Sequence, residues 1–426
     1  MLLTLLFVLL FVLLALGVPV AIALAGASAV FIFLDGRIPD VVVIHRMVNG
    51  VDSFPLLAVP FFILAGNLMN TAGITERIFD FAKALVGWMR GGLGHVNIGA
   101  SVIFAGMSGA AVADAGGLGA IEIKAMRDAK YDAGFSVGIT AASSTIGPII
   151  PPSLPMVIYG VVAGASIGQL FAAGFIPGIL MALALMAMVA IYARRRGYPR
   201  DQAFSMSVLG SSFLRAFLSL MTPVIIVGGI LSGAFTPTEA AIAACVWALF
   251  LGLVVYRTLT LQRFLRVSFD TIETTSVVLF IVAAASIFAW ILASNRVPEH
   301  FASIILGISE NPIIVLLLIN LILLLVGCFM ETVAAITILV PVLLPIALKM
   351  GVDPVHFGVI VVLNLMIGLL TPPVGLVLYV LSRVSKVPFE RCVVATLPFL
   401  VPLFLVLFLV TFIPAITMWL PTLLYR

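Results

Sequence analysis

The chain has 426 residues, of which 63% are hydrophobic and 9% charged, with a formal net charge of +4. A mean hydropathy of +1.30 excludes a soluble globular domain, which would carry more polar surface, and leaves a polytopic membrane protein. The small positive charge fits loop orientation rather than nucleic-acid binding, and neither the scattered Cys245, Cys328 and Cys392 nor the four histidines have disulfide or metal-ligand spacing.

In chain order the first apolar runs fall at 2–16, 19–34 and 54–72. No Lys or Arg precedes Arg37, so the first run lacks the basic start of a secretory signal and is expected as a short membrane helix. An amphipathic stretch over 75–90 is expected to lie on the membrane surface. The run 95–121 follows, then 133–160 with a break at 147–152, and 169–193. After the linker Arg194-Arg195-Arg196 come 213–233, 238–256, an amphipathic stretch over 258–272 that is likewise expected on the membrane surface, and 274–293. The last runs are 312–348, 355–382 with a break at 368–373, and 393–422.

Two of these breaks repeat. Gly106 and Gly327 lie 221 positions apart, and Ile146-Gly147-Pro148-Ile149-Ile150-Pro151-Pro152 returns at the same spacing as Ile367-Gly368-Leu369-Leu370-Thr371-Pro372-Pro373. One offset for both points to a duplicated unit. Residues 95–121 are glycine-rich and hold Ser108 and Asp114, which suits a re-entrant hairpin better than a straight span. Hairpins are expected over about 95–129 and 312–348, and broken helices over 133–160 and 355–382. Each half then crosses five times, and an odd count turns the halves opposite ways. The expected fold class is an all-α polytopic membrane protein, an inverted repeat of residues 1–193 and 213–426 joined by a linker at 194–212. Seventeen of the 22 Lys and Arg fall on the linker side, which the positive-inside rule makes cytoplasmic. Both termini are expected outside.

Three acids fall within the apolar runs: Asp114, Glu239 and Glu331. Burying an ionisable group in a membrane is costly, so each is a functional candidate. Glu239, in Thr236-Pro237-Thr238-Glu239, also has the position of a helix cap. The breaks add oxygen ligands, because Gly and Pro free backbone carbonyls beside the hydroxyls of Ser143, Ser144 and Thr145. Thr371 is the one polar residue of the mirrored break. Oxygen-only ligands suit a hard cation, Na⁺ above all, and the alternative is a kinked helix whose hydroxyls bond back to their own backbone. Asn364 reads equally as a packing residue or a cation ligand, and Asn320 as structural. Gly106-Met107-Ser108-Gly109 also fits the GxSG pattern of intramembrane serine hydrolases, but no histidine lies at the depth of Ser108 to act as its base.

The residues Gly106 to Gly119, Ser144 to Gly160, Phe235 to Ala241 and Gly368 to Gly375 together resemble the large membrane subunit of TRAP (tripartite ATP-independent periplasmic) transporters, the DctM type, over essentially the whole chain. The resemblance implies an elevator, with a transport domain over about 91–193 plus 301–426 and a scaffold over about 1–90 plus 213–300. It implies Na⁺-coupled uptake of an organic acid anion such as sialic acid or a C4-dicarboxylate, delivered by a periplasmic binding protein, in the bacterial inner membrane. A small four-helix membrane subunit would be the partner. It places Ser108, Gly109, Asp114, Ser144, Thr145 and Gly147 at a first Na⁺ site. Gly327, Met330, Glu331, Thr332, Gly368 and Thr371 fall at a second. Ser108, Pro151, Ser153 and Pro373 fall at the substrate. Ser108 pairs with Phe329 and Asp114 with Ala335 at the repeat offset, so the two sites cannot offer identical ligands. A free-standing Na⁺ or H⁺ carboxylate symporter is the alternative within this architecture.

Overall fold

The computed structural model describes residues 2–198, 200, 201 and 203–425, the side chains of 106–108 excepted. Apart from an isolated bridge between Arg90 and Arg200, every regular element among them is helical.

The first half runs α1 (Leu2–Ala15), α2 (Val20–Asp35), α3 (Val41–Val51), a 3₁₀ turn over Phe54–Leu57, α4 (Ala58–Thr71) and α5 (Ile74–Val86). Then come α6 (Gly92–Ser108), α7 (Ala111–Gly116), α8 (Leu118–Asp128), α9 (Ala133–Ser144), α10 (Leu154–Ala163) and α11 (Ile167–Arg196). The second half runs α12 (Met206–Pro223), a π turn at Val224–Gly228, α13 (Gly229–Leu231), α14 (Pro237–Phe250) and a π turn at Leu251–Val255. It continues with α15 (Leu261–Ser294), α16 (Val297–Ile308), α17 (Pro312–Gly327), α18 (Thr332–Lys349), α19 (Pro354–Gly368), α20 (Leu376–Ser385), α21 (Phe389–Phe412) and α22 (Ala415–Leu424).

Local sequence sets the boundaries. Asp132, Ser153, Ser166 and Asp353 accept N–H bonds at the starts of α9, α10, α11 and α19. Gly36 and Gly197 close α2 and α11 in the left-handed conformation. Both interrupted runs fold as helix pairs, with α6 against α7 and α8, and α17 against α18. Both expected broken helices are interrupted, between α9 and α10 and between α19 and α20. The stretch 258–272 differs from expectation. It is the start of α15, continuous with the following run through 34 residues, because no Gly or Pro separates Leu261 from Ser294. The first half divides the equivalent stretch into α3 and α4 around Asp52, Ser53 and Pro55. The run 393–422 also splits, into α21 and α22 at Pro414.

The 221-residue spacing recurs in the element boundaries. α7 starts at Ala111 and α8 ends at Asp128; α18 starts at Thr332 and ends at Lys349, each 221 positions later. Packing is reciprocal. α10 lies against α18, and α20 against α7 and α8. α9 lies against α21, and α11 against α19. α4 lies against α14, and α2 against α15. Swapping each helix for its equivalent turns one contact of a pair into the other, as in the isologous pairing of two similar units.

Seven helices are long and apolar enough to cross a bilayer by themselves, and ten shorter apolar helices accompany them, among the described residues. α1, at 14 residues, spans about 21 Å at 1.5 Å per residue, less than the ~30 Å hydrocarbon core. Exposed Phe11, Phe33, Phe269 and Leu214 face outward, as a lipid solvent allows. α11 reaches the first break through small residues: a Cβ on Gly174 would sit 2.2 Å from the Ile149 carbonyl oxygen.

Candidate functional site

The tip of the first helix pair meets the first break. Gly109, at φ +59°, turns the chain between α6 and α7. A Cβ there would lie 2.6 Å from the Pro152 carbonyl oxygen, so glycine alone fits without a shift. The Gly109 carbonyl accepts from the Leu154 N–H at 3.4 Å, tying the tip to the start of α10. Asp114 sits one turn into α7, which packs on α9. It is 2% exposed, and neither carboxylate oxygen accepts a hydrogen bond; Ser101 on α6 faces it outside normal bonding geometry. A buried carboxyl with no counter-charge is costly unless it takes up a proton or meets a cation.

Ser144 and Thr145 end α9, next to this junction. Their hydroxyls donate to the Ala141 and Ala142 carbonyls at 2.8 and 2.6 Å. This is the back-bonded arrangement of a kinked helix, yet it leaves both oxygens with lone pairs turned away from their protons. Gly147 and Pro151 are buried in the break, which contains a cis Pro151-Pro152 bond. Ser153 caps α10, accepting from the Met156 N–H and donating to the Pro148 carbonyl. The side chain of Ser108 lies outside the described residues. His95, the histidine on the same helix, is 13 residues away, about 20 Å along α6 at 1.5 Å per residue, beyond the reach of a base.

The second junction has the same backbone frame with other side chains. Gly327 and Gly368 put α17 and α19 in backbone contact: a Cβ on Gly368 would lie 2.6 Å from the Gly327 carbonyl carbon. The Val374 N–H donates to the Cys328 carbonyl at 3.2 Å, matching the tip-to-break bond of the first half. Glu331 is the N-cap of α18, its Oε2 accepting from Val333 and Ala334 at 2.8 and 3.3 Å. Thr332 opens that helix and is buried, and Met330 is half-buried beside it. The Thr371 hydroxyl donates to the Ile367 carbonyl at 2.9 Å, and Pro373 is exposed. Glu239 stands apart from both junctions. It completes a capping box with Thr236, accepting the Thr236 N–H at 2.8 Å.

Two groups were not foreseen as such from sequence, although Ser143, Asn320 and Asn364 were each named there. Glu122 on α8 is, with Asp114, one of two buried acids among the described residues, 1% exposed with Oε1 unpaired and one residue beyond the expected end of the apolar run. Its signal is Leu118, Glu122 and Met126, which share one buried helical face. The second group is a pair of buried polar staples. Asn97 donates to Thr140 at 2.7 Å and accepts from Ser143 at 2.6 Å, tying α6 to α9. Asn364, 221 positions after Ser143, donates to Asn320, which donates to Thr411 at 3.1 Å, tying α17 to α19 and α21. Asn364 is therefore a packing donor, with its own carbonyl oxygen left unpaired and buried.

Among the described residues no three His, Cys, Asp or Glu side chains converge on a metal site, and no Lys or Arg is buried. A crevice of about 470 Å³ between Ser53–Pro55, Thr236–Thr238 and the Gly160–Gly168 segment contains none of the junction residues.

Residues 7–416 match the family described as "Tripartite ATP-independent periplasmic transporter, DctM component". The chain is 54% identical over 407 residues to the sialic acid TRAP transporter large permease protein SiaM of Vibrio cholerae, covering 96% of this chain and 95% of that one. It is 45% identical over 408 residues to the sialic acid TRAP transporter permease protein SiaT of Haemophilus influenzae, covering 96% of this chain and 66% of the relative. Its fold resembles the crystal structure of the Alcanivorax borkumensis YdaH transporter, with a TM-score of 0.63 at 13% identity over 89% of this chain and 88% of that one. The chain belongs to the DctM component family of tripartite ATP-independent periplasmic transporters, and is a multi-span membrane permease subunit of that family.

Proposed function

We propose that this subunit imports sialic acid, driven by Na⁺, from a periplasmic binding protein across the inner membrane, with a small four-helix subunit as its partner. Both sialic acid relatives named above favour that anion over a C4-dicarboxylate. The observation that carries the Na⁺ coupling is the charge inventory of the interior. Asp114 is buried without a partner, and no buried Lys or Arg is present among the described residues to hold the substrate carboxylate. An anion entering such an interior needs positive charge brought with it, and a bound cation supplies it at low dielectric cost. The first cation would be held by Asp114 with the oxygens of Ser144 and Thr145 and the carbonyls freed around Gly109 and Gly147. The second would be held at Gly327, Glu331, Thr332, Gly368 and Thr371, with Met330 beside them. The anion would lie between, near Pro151, Ser153 and Pro373, with Ser108 at the first tip.

Movement of residues 91–193 plus 301–426 against 1–90 plus 213–300 would carry the sites across, with the linker side cytoplasmic and both termini outside. The test is uptake into proteoliposomes containing this chain and its small partner, with an inward Na⁺ gradient. Labelled sialic acid and labelled succinate are compared, with and without the cognate binding protein. Sialic acid uptake needing both Na⁺ and the binding protein is expected. Uptake with Na⁺ alone would identify a free-standing symporter, and uptake without Na⁺ would overturn the coupling.

A further inference from the structure

A second cavity, of about 880 Å³, opens at the end of the molecule that carries the linker arginines. Four cations line it: Arg127 from α8, Arg196 from α11, Lys386 from the α20–α21 turn and Arg391 from α21. Two acids share the rim. Asp132 is engaged, capping α9 and pairing with Arg196 at 3.1 Å; Glu390 lies in the first turn of α21. The cavity therefore carries a net excess of two positive charges.

The cations differ in what already holds them. Arg127 donates to the Ser385 carbonyl at 2.8 Å, which fixes its guanidinium at the cavity wall. Lys386 and Arg391 are exposed and have no ion-pair or hydrogen-bond partner among the described residues. The start of α21 is similarly open. Its N-cap is Pro388, which offers no side-chain acceptor, so the first N–H groups of this 24-residue helix point outward unsatisfied. Asp132 accepts an N–H at the neighbouring start of α9; among the described residues no side chain does so for α21, although Glu390 stands in its first turn.

The same cavity is also lined by apolar Val394, Pro398 and Phe399, which follow Arg391 along α21. This apolar lining continues along α21 as Val394, Leu397 and Val401, exposed by 66, 51 and 63% on one helical face. Such a face is a surface for hydrocarbon rather than water. Cations at one end and an apolar track leading away from them match an amphiphile with an acidic head.

We propose that this cavity binds the phosphate-bearing headgroup of an anionic phospholipid, with its acyl chains along α21. Lys386 and Arg391 bind the phosphate oxygens, and the open N-terminus of α21 adds N–H donors. The site lies on helices of the expected transport domain, so the lipid would travel with it. The sidedness rests on the proposed orientation, in which the linker faces the cytoplasm.

The test needs no transport assay and so stands apart from the proposed function. The full chain is purified in detergent and offered equal amounts of phosphatidylglycerol and phosphatidylcholine, and retained lipid is read by native mass spectrometry. The unmodified chain is expected to retain phosphatidylglycerol preferentially. Lys386→Gly with Arg391→Gln removes both free cations, and glycine keeps the left-handed backbone at 386, where φ is +58°. The expected loss of phosphatidylglycerol affinity is about thirtyfold, or about 2 kcal/mol at 1.4 kcal/mol per tenfold. Arg194→Gln with Arg195→Gln removes two linker cations outside the cavity and should leave retention unchanged. No preference in the unmodified chain, undiminished retention in the first variant, or equal loss in the second would overturn the assignment. Displacement of the lipid by millimolar inorganic phosphate would also overturn it, in favour of a free-anion site.

Discussion

Replacing Asp114 by asparagine separates a cation ligand from a structural acid. The side chain is 2% exposed, and both its carboxylate oxygens lack hydrogen-bond donors. Leaving an ion uncompensated inside a protein costs several kcal/mol even after relaxation. Asparagine keeps the shape and removes the charge, so Asp114→Asn should be at least as stable as the unmodified protein without Na⁺. With Na⁺ the order reverses. A ligand binding only the folded state adds RT ln(1 + [Na⁺]/Kd), about 2.7 kcal/mol when Na⁺ is at 100 times its Kd. The unmodified protein should gain that increment and the variant should lose the share due to the first site. The assay is thermal unfolding in detergent, followed by intrinsic fluorescence, across a NaCl series balanced with choline chloride to hold ionic strength constant. A variant that keeps the full Na⁺ increment would falsify the first-site assignment. A variant that unfolds early with and without Na⁺ would make Asp114 a structural residue.

The second junction predicts a packing effect: Gly368→Ala pushes a Cβ to 2.6 Å from the Gly327 backbone and should cost about 1–3 kcal/mol. Gly307→Ala, with nothing within 4 Å of its Cβ, should be neutral or stabilising by less than about 1 kcal/mol, and equal thermal midpoints for the two would refute the close approach. Thr236→Ala should cost about 1 kcal/mol and Glu239→Ala should also lower the midpoint, with the double variant losing less than the sum of the two shifts, because both break one capping box. Sialic acid uptake should survive all three, and its loss at normal stability would give Glu239 a role beyond the cap. Asp132 gives a pH dependence: slight burial raises its pKa, but the Phe135 N–H and the Arg196 guanidinium outweigh that and hold the carboxyl below the usual range. A lowered folded pKa contributes stability above the unfolded value near 4 and loses it as pH falls further. Asp132→Asn should flatten that acid slope by less than about 1 kcal/mol, since the pair is exposed, and an unchanged slope would refute the assignment.

The breaks were legible because their residues leave little choice. Gly147-Pro148 and Gly368, with the paired prolines that follow, crowd several breakers into a few residues, whereas single prolines such as Pro177 and Pro341 stay inside their helices, and the common offset of 221 made the two breaks one signal. The hairpin tip at Gly109 was legible on the same ground. Hydroxyl direction was not. Ser144, Thr145 and Thr371 all turn to carbonyls three or four residues back, a rotamer choice that neighbouring helices settle. Glu122 was missed because the apolar run was closed at residue 121, ahead of Lys124, Arg127 and Asp128, although its partners on the buried face were present. The stretch 258–272 was misplaced for a related reason. Its polar face suggested a surface helix, while continuity into α15 depended on the absence of any breaker.

The two junctions share a backbone frame and differ in their acids. Both retain a glycine contact or turn at the tip, a tip-to-break backbone bond, and a buried staple that uses the equivalent positions Ser143 and Asn364. These hold two helices at a fixed separation, and reciprocal packing ties each half's frame to the other's. A change in one frame therefore disturbs contacts in both. The acids are under no such constraint and have diverged. Asp114 lies inside a helix with its carboxylate free, whereas Glu331 sits before a helix with one oxygen already bonded to two N–H groups. On the proposed reading the two cations are held differently. The first depends on a full unpaired charge, and the second on carbonyls brought together at Gly327 and Gly368 beside a carboxylate that also caps α18. Removing charge should then weaken the first site more than the second, and adding a side chain at the glycine contact should do the reverse.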